Sequence, residues 1–508
     1  MAVLIWLSCT AWWRPLAVPD EGRYAGVAWE MIRSGDWLTP TLNGLPFFHK
    51  PPLFYWLTAV SLQTFGLTVW AARMASVLGA LLGAMALYGL VRRWSGPRLA
   101  SWSLLALVTQ PFYFGGAQYA NLDMLVAGCI SAAVALAAHA VLSREAGLPY
   151  RLTLWGAYGL AGLGLLSKGL IGLVLPGAII VLWMIMSGRW RAILGLLSLP
   201  GLLVLTVVAA PWFVAMQHLY PDFFHYFFVY QHFQRFTQTG FNNVHAWWYY
   251  LPLMAALSMP WVPAWLVAVW WPRAVSTSTP ASTKHSATPD LRGLMWSWLV
   301  VVVVFFSIPA SKLPGYVLPA LPPLGFLIAD ALMRRWPTVG AWTTRLCAGV
   351  AGVLCVTLIG VTVKYDDQSS RPVLAVIQPL LKQGVPLVYV DEFVYDLPFY
   401  LARQEPVPVI SDWTDPELPK HDNDRKELFD AGVFRPQAAS RFLVDKADWP
   451  RWLCTHPRLA VMAPHDAIHK YPALASQLPV MRLKLWSLWV LDRDDLVAKG
   501  LHCPLFPS

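Results

Sequence analysis

The sequence predicts a mainly α, polytopic membrane protein with about 11–13 transmembrane helices and a C-terminal soluble α/β domain. Three observations carry that prediction. Of 508 residues, 57% are hydrophobic and only 13% are charged, whereas soluble domains carry about 25% charged residues. Uncharged runs at 99–122, 169–188, 192–217, 293–311 and 346–363 approach or exceed the roughly 20 helical residues that cross about 30 Å of hydrocarbon. Beyond about Tyr365 charged residues become frequent and short β-type runs appear.

Spanning helices are expected over 2–18, 70–91, 99–117, 122–142, 152–167, 169–187, 192–216, 248–271, 293–310, 315–333 and 345–364. The first is the weakest, because only about thirteen mostly apolar residues precede Arg14. Either Arg14 snorkels to the interface or residues upstream are missing. A cleaved signal peptide is disfavoured, since no small-x-small site precedes Asp20 and no basic n-region is present. Twenty-eight tryptophans fit the same class, as indole favours the headgroup level.

Loop charges set the orientation. Arg92, Arg93 and Arg98 share one loop; Arg144 and Arg151, then Arg189 and Arg191, then Arg273, Lys284 and Arg292, then Arg334, Arg335 and Arg345 follow in alternate loops. Those loops are read as cytoplasmic. The opposite side then holds the first loop, 19–69, with Tyr119–Asp123 and the stretches 167–168, 218–247 and 311–315. Within the first loop, 21–33 and 52–65 read as interfacial helices lying on the membrane. The Ser-, Thr- and Pro-rich segment 272–290 reads as a flexible link.

The chain thus divides into a membrane domain, 1–364, and a soluble domain, 365–508. The latter alternates β-type runs at 386–390, 407–410, 459–462 and 485–491 with helical patterns such as 373–383. Loop parity places it outside the cytoplasm, where disulfides form. Cys454 and Cys503 are therefore either bridged or two unpaired thiols. The formal charge of +10 is read as directed at membrane lipids and anionic substrates, not nucleic acid, because no basic stripe marks a soluble surface.

Two polar clusters stand out against this background. Asp20-Glu21-Gly22-Arg23-Tyr24 and Phe48-His49-Lys50-Pro51-Pro52 flank the first outer helix. Acidic pairs at a membrane surface are costly to desolvate and need water or a task. Pro51-Pro52 fixes the backbone beside Lys50. Lys50, Lys168, Arg235 and Lys312 all lie on the outer side, against the usual bias of positive charge. Phosphate recognition supplies a reason, with Arg offering bidentate contacts and Lys a point charge. Together the clusters indicate a membrane enzyme handling an anionic, phosphate-bearing lipid. A snorkelling explanation stays open for Lys168 and Lys312, and a helix-cap role for Asp123.

The motifs also follow one another in a particular order. Pro19-Asp20-Glu21-Gly22-Arg23-Tyr24, Ser34-Gly35-Asp36-Trp37, Leu42-Asn43-Gly44 and Lys50-Pro51-Pro52-Leu53-Phe54-Tyr55-Trp56 are followed by Trp70-Ala71-Ala72-Arg73 and Asn121-Leu122-Asp123. Leu166-Ser167-Lys168-Gly169, His232-Phe233-Gln234-Arg235-Phe236, Trp247-Trp248-Tyr249-Tyr250 and Ser311-Lys312-Leu313-Pro314-Gly315-Tyr316 complete the set. This succession, over most of 14–330, resembles the bacterial ArnT family, the lipid A 4-amino-4-deoxy-L-arabinose transferases, relatives of protein O-mannosyltransferases. The resemblance implies a glycosyltransferase-C fold in the inner membrane and sugar transfer from undecaprenyl phosphate on the periplasmic face. It implies lipid A as acceptor, with a protein or another envelope glycan as alternatives; the chain is short for the family, which keeps a paralogue open.

Under that resemblance Asp20 and Asp123 are the catalytic candidates. Glu21, Arg23, Tyr24, Lys50, Lys168, His232, Arg235, Lys312 and Tyr316 are the substrate-binding ones. Glu21 has a second reading as a cap for the following helix. A divalent ion is a candidate cofactor. The family has Glu where this chain has His49, and commonly an acidic residue where it has Gln231; both departures remove negative charge from any metal site. A transporter would show paired repeats and broken helices near the midplane, and no repeat is visible. A scaffold would leave the 20–50 loop without a purpose.

Overall fold

The computed structural model describes residues 1–234, 243–270, 290–336, 341–365, 368–420 and 423–503. Among the described residues five helices are long and apolar enough to cross a membrane: Val69–Ser95, Leu122–Glu145, Leu199–Leu219, Pro314–Arg335 and Leu346–Tyr365. The pair Tyr250–Leu257 and Trp261–Trp270, bent by 104°, passes the same test only when its two helices are taken together. Shorter apolar helices occupy Pro97–Val108, Ile171–Met186 and Leu291–Ser307. This is a multi-pass membrane protein, and every expected span contains a helix.

In chain order the helices are α1 (Ala2–Ser8), α2 (Asp20–Ser34), α3 (Leu53–Phe65), α4 (Val69–Ser95), α5 (Pro97–Val108), α6 (Pro111–Ala117), α7 (Leu122–Glu145), α8 (Arg151–Lys168), α9 (Ile171–Met186) and α10 (Leu199–Leu219). They continue with α11 (Tyr250–Leu257), α12 (Trp261–Trp270), α13 (Leu291–Ser307), α14 (Leu321–Arg335) and α15 (Ala341–Tyr365). The link expected over 272–290 falls outside the described residues, except that Asp290 caps α13 by accepting from the Gly293 N–H at 2.9 Å.

The expected spans break where buried polar groups need partners. The span expected at 2–18 is helical only over α1. Beyond it the carbonyls of Ala11 and Pro15 turn to the buried Arg73 guanidinium at 2.6 and 2.7 Å. The span at 99–117 divides into α5 and α6 just before Pro111, which disfavours helical backbone at the preceding residue. The span at 248–271 divides at Pro260, which has no N–H to donate. These two breaks face each other: the Ser258 hydroxyl donates to Gln110 Oε1 and Trp261 Nε1 donates to Thr109 Oγ1, both at 3.0 Å. The helix expected at 192–216 starts later, at Leu199, with the Ser198 hydroxyl capping it.

Basic loops gather at one end of the bundle. Arg189 pairs with Glu145 at 2.6 Å, and Arg292 and Arg334 share Asp330 at 2.9 and 2.8 Å. At the other end α2, α3 and the hairpin of β1 (Thr41–Leu42) and β2 (Leu45–Pro46) sit beneath a six-stranded sheet. The sheet contains β3 (Leu387–Val390), β4 (Val409–Ser411), β5 (Leu443–Asp445), β6 (Arg458–Pro464), β7 (Met481–Arg482) and β8 (Trp486–Asp492) in the order β5-β4-β3-β6-β8-β7. The first four strands of that order are parallel; β8 runs antiparallel to β6, and β7 antiparallel to β8. Around it lie α16 (Leu374–Lys382), α17 (Asp424–Val433) and α18 (Trp449–Thr455). A disulfide joins Cys454 to Cys503.

One apolar core runs from Val27, Phe54 and Tyr55 into Leu387, Tyr389 and Leu488. Asn43 adds a two-way lock, donating to the Val407 carbonyl and accepting its N–H, both at 2.8 Å. Gly22 explains itself here, because a Cβ would come within 2.8 Å of the Asp396 backbone nitrogen. The sheet is thus docked on the first loop.

Candidate functional site

Asp20, Arg23 and Tyr24 occupy the first two turns of α2, where an acidic residue also favours the positive end of the helix dipole. Lys50 follows the hairpin. Asp123 lies in the first turn of α7, and the Asn121 side chain, not Asp123, caps that helix by accepting the Asp123 N–H at 2.9 Å. Lys168 ends α8. These elements meet around a polar cavity of about 70 Å³ lined by Asp20, Arg23, Tyr24, Lys50, Asp123, Lys168 and Tyr316, together with His49 and Glu427.

Arg23 and Lys168 have defined partners in the cavity. Arg23 is bridged between Asp20 and Glu427. Burial would lower the guanidinium's pKa, but the charges of Glu427 and Asp20 hold it well above the usual value. Burial also raises the Tyr24 hydroxyl, which stays neutral. Lys168 pairs with Asp123 and sits 4.3 Å from the centroid of the Tyr316 ring, a cation–π contact. Gly315 makes room for this pair, since a Cβ there would lie 2.2 Å from Asp123 Oδ2. Beside the polar cavity opens a second one of about 750 Å³. It shares Asp20, Asn121 and Asp123 and is walled by apolar residues such as Phe112, Leu318, Leu358 and Ile359. A charged chamber opening on an apolar one suits an amphiphile with an anionic head.

Known proteins are similar to this chain in sequence and in fold. The dolichyl-phosphate-mannose-protein mannosyltransferase family matches residues 49–215. An undecaprenyl phosphate-alpha-4-amino-4-deoxy-L-arabinose arabinosyl transferase of Pseudomonas fluorescens is 33% identical over 410 residues, covering 79% of this chain and 70% of the relative. A second, from another strain, is 34% identical over 325 residues, 63% of this chain and 56% of the relative. Among solved structures, ArnT from Cupriavidus metallidurans bound to undecaprenyl phosphate matches with a TM-score of 0.75 at 26% identity, over 96% of each chain. The chain belongs to the ArnT family. It has the glycosyltransferase-C fold, and it spans just over half the length of the second of these relatives.

Two expected ligands of this ArnT-family chain do not reach the cavity. Glu21 is fully buried and receives Arg73 Nε and Nη2 at 2.8 Å each, Arg14, and the N–H groups of Ala17 and Ala120. Burial alone would raise its carboxyl; Arg14, Arg73 and the Ala120 N–H hold it down to about 2. These contacts pin the first loop, and Glu21 also stands in the first turn of α2, as its reading as a cap for that helix expected. Lys312 is 2% exposed and donates to the carbonyls of His245 at 3.0 Å, Pro309 and Ala310. It ties the chain after α13 instead of facing a phosphate. Arg235 and the side chain of His232 lie outside the described residues.

Two titratable residues outside the sequence-derived catalytic and substrate-binding set, His49 and Glu427, also line the cavity. His49 sits with its ring 4.5 Å from Phe47 and Nδ1 3.7 Å from Glu427 Oε1. Glu427 comes from α17, 404 residues beyond the Arg23 it contacts. Its only sequence signal was membership of a charged soluble domain. Among the described residues no three His, Cys, Asp or Glu side chains are placed to hold a metal ion.

Proposed function

We propose that this protein transfers 4-amino-4-deoxy-L-arabinose from undecaprenyl phosphate to a phosphate of lipid A on the periplasmic face of the bacterial inner membrane. The observation that carries the reading is the junction of an ion-lined cavity with a large apolar one. An isoprenoid tail fits the second and its phosphate the first. The names of the relatives, and the undecaprenyl phosphate bound to ArnT of Cupriavidus metallidurans, support the same donor. The alternation of basic loops supports the periplasmic placement.

Transfer breaks the bond between sugar C1 and the carrier phosphate oxygen, and the electron pair stays on that oxygen. Arg23, Lys50 and Lys168 are cations preplaced where this charge develops. A lipid A phosphate is already ionised and attacks C1 without a base. Asp20 then steadies positive charge on the sugar ring or orients the acceptor, and Asp123 holds Lys168. The match to protein mannosyltransferases carries a second reading with a hydroxyl acceptor, in which Asp20 acts as general base.

Mass spectrometry of lipid A from cells with and without the chain tests the proposal. A gain of one pentosamine is expected. Unchanged lipid A beside newly glycosylated protein would replace it with the second reading.

A further inference from the structure

Both carboxylate oxygens of Glu427 are committed at the cavity wall. Oε1 accepts from Arg23 Nη1 and lies 3.7 Å from His49 Nδ1; Oε2 accepts from the Tyr395 hydroxyl at 2.6 Å. The side chain is 11% exposed. Tyr395 and Glu427 both belong to the sheet-bearing region, so that region builds one wall of a chamber otherwise made by the first loop with its α2, by α7 and α8, and by Leu313 and Tyr316. Among the described lining residues, Arg23, Lys50 and Lys168 are balanced in number by Asp20, Asp123 and Glu427.

That balance matters for turnover. The donor is a sugar phosphodiester with one negative charge. Once the C1–O bond breaks, the carrier is left as a phosphate monoester with a second ionisation near pH 6, hence about −1.5 to −2 at neutral pH. A chamber with surplus positive charge, shielded from water, holds such a product more tightly than its donor. We infer that Glu427 is a positioning residue of the phosphate site: it fixes Arg23 over the chamber and offsets one positive charge, so that the spent carrier phosphate leaves. This rests on the donor reading above. It makes the C-terminal domain part of the site's electrostatics as well as its roof.

The test uses the full-length protein in lipid nanodiscs and undecaprenyl phosphate as the probe. Affinity is measured for the wild type, Glu427→Gln, Glu427→Asp and Lys50→Ala, with thermal unfolding of each, and steady-state transfer for the two Glu427 variants. Glu427→Gln should bind undecaprenyl phosphate about tenfold more tightly and be inhibited correspondingly more by it. Its kcat should fall while the donor KM does not rise. Glu427→Asp, which keeps the charge, should bind it like the wild type. A Glu427→Gln protein that binds equally or more weakly, or equal weakening by Gln and Asp, leaves only a structural role and overturns the inference. Wild-type protein that fails to bind the probe, or Lys50→Ala that binds undiminished, overturns the donor reading and this inference with it. Loss in Lys50→Ala with no gain in Glu427→Gln overturns the inference alone.

Discussion

Replacing Asp20 with Asn takes a charge out of the cavity but leaves α2 and its packing in place, so Asp20→Asn should abolish transfer without lowering the unfolding temperature appreciably. Glu21→Gln should behave in the opposite way. It leaves the buried guanidiniums of Arg14 and Arg73 without their counter-charge, a loss of about 3–5 kcal/mol, seen as an early unfolding transition. Glu21 also has a pH signature. Its carboxyl is held down to about 2 against an ordinary 4.5, so its stabilisation is complete above about pH 4.5 and is lost as pH falls through about 2. Thermal unfolding between pH 6 and pH 3 should show a falling wild-type curve and a flatter Glu21→Gln curve. The sequence reading set Asp20 apart as the catalytic candidate but kept Glu21 among the substrate-binding residues, since both are acids in one motif. What separates them is Arg73 of Trp70-Ala71-Ala72-Arg73, whose burial against Glu21 depends on how α2 and α4 cross. Lys168 and Lys312 were alike for the same reason: each follows a helix end, and only the direction of Nζ, toward Asp123 or toward backbone carbonyls, tells them apart.

Among the elements, uncharged runs were a sound guide to where helices lie, because the bilayer demands apolar length. The breaks were hidden. They depend on partners such as Ser258 with Gln110, which are distant in sequence and show no periodicity. In the soluble domain β3, β4, β6 and β8 were legible as apolar runs, whereas β5 and β7 end in the charged Asp445 and Arg482 and form no such run. The Cys454–Cys503 bridge was one of two open readings, and the structure makes it. It closes a separation of 49 residues between α18 and the chain's end. Removing a cross-link of that length costs roughly 4 kcal/mol in the chain-entropy account. Cys454→Ser and Cys503→Ser should each lower the unfolding temperature of the C-terminal domain. Reductant should lower that of the wild type by a similar amount and leave the variants unmoved.

For the whole molecule, loop charge and three-dimensional arrangement make one joint prediction about sidedness. Lys168 lies in the cavity at the end of α8, and the chain then turns into α9. The 16 residues of α9 carry it about 24 Å at 1.5 Å per residue to the exposed turn at Gly188, beside Arg189 and its partner Glu145. Gln404 belongs to the opposite end, because the neighbouring Arg403 carbonyl accepts from Trp29 Nε1 of α2 at 3.0 Å, and α2 carries Asp20. Positive loops remain in the cytoplasm, so a reporter fused at Gly188 should score cytoplasmic and one at Gln404 periplasmic. Both positions are surface turns, and fusions there leave the helices before them intact. Opposite scores in the reverse sense would turn the cavity inward, away from a periplasmic acceptor. Matching scores would break the bundle itself, since α9 could not then cross the membrane between the cavity and the basic loop.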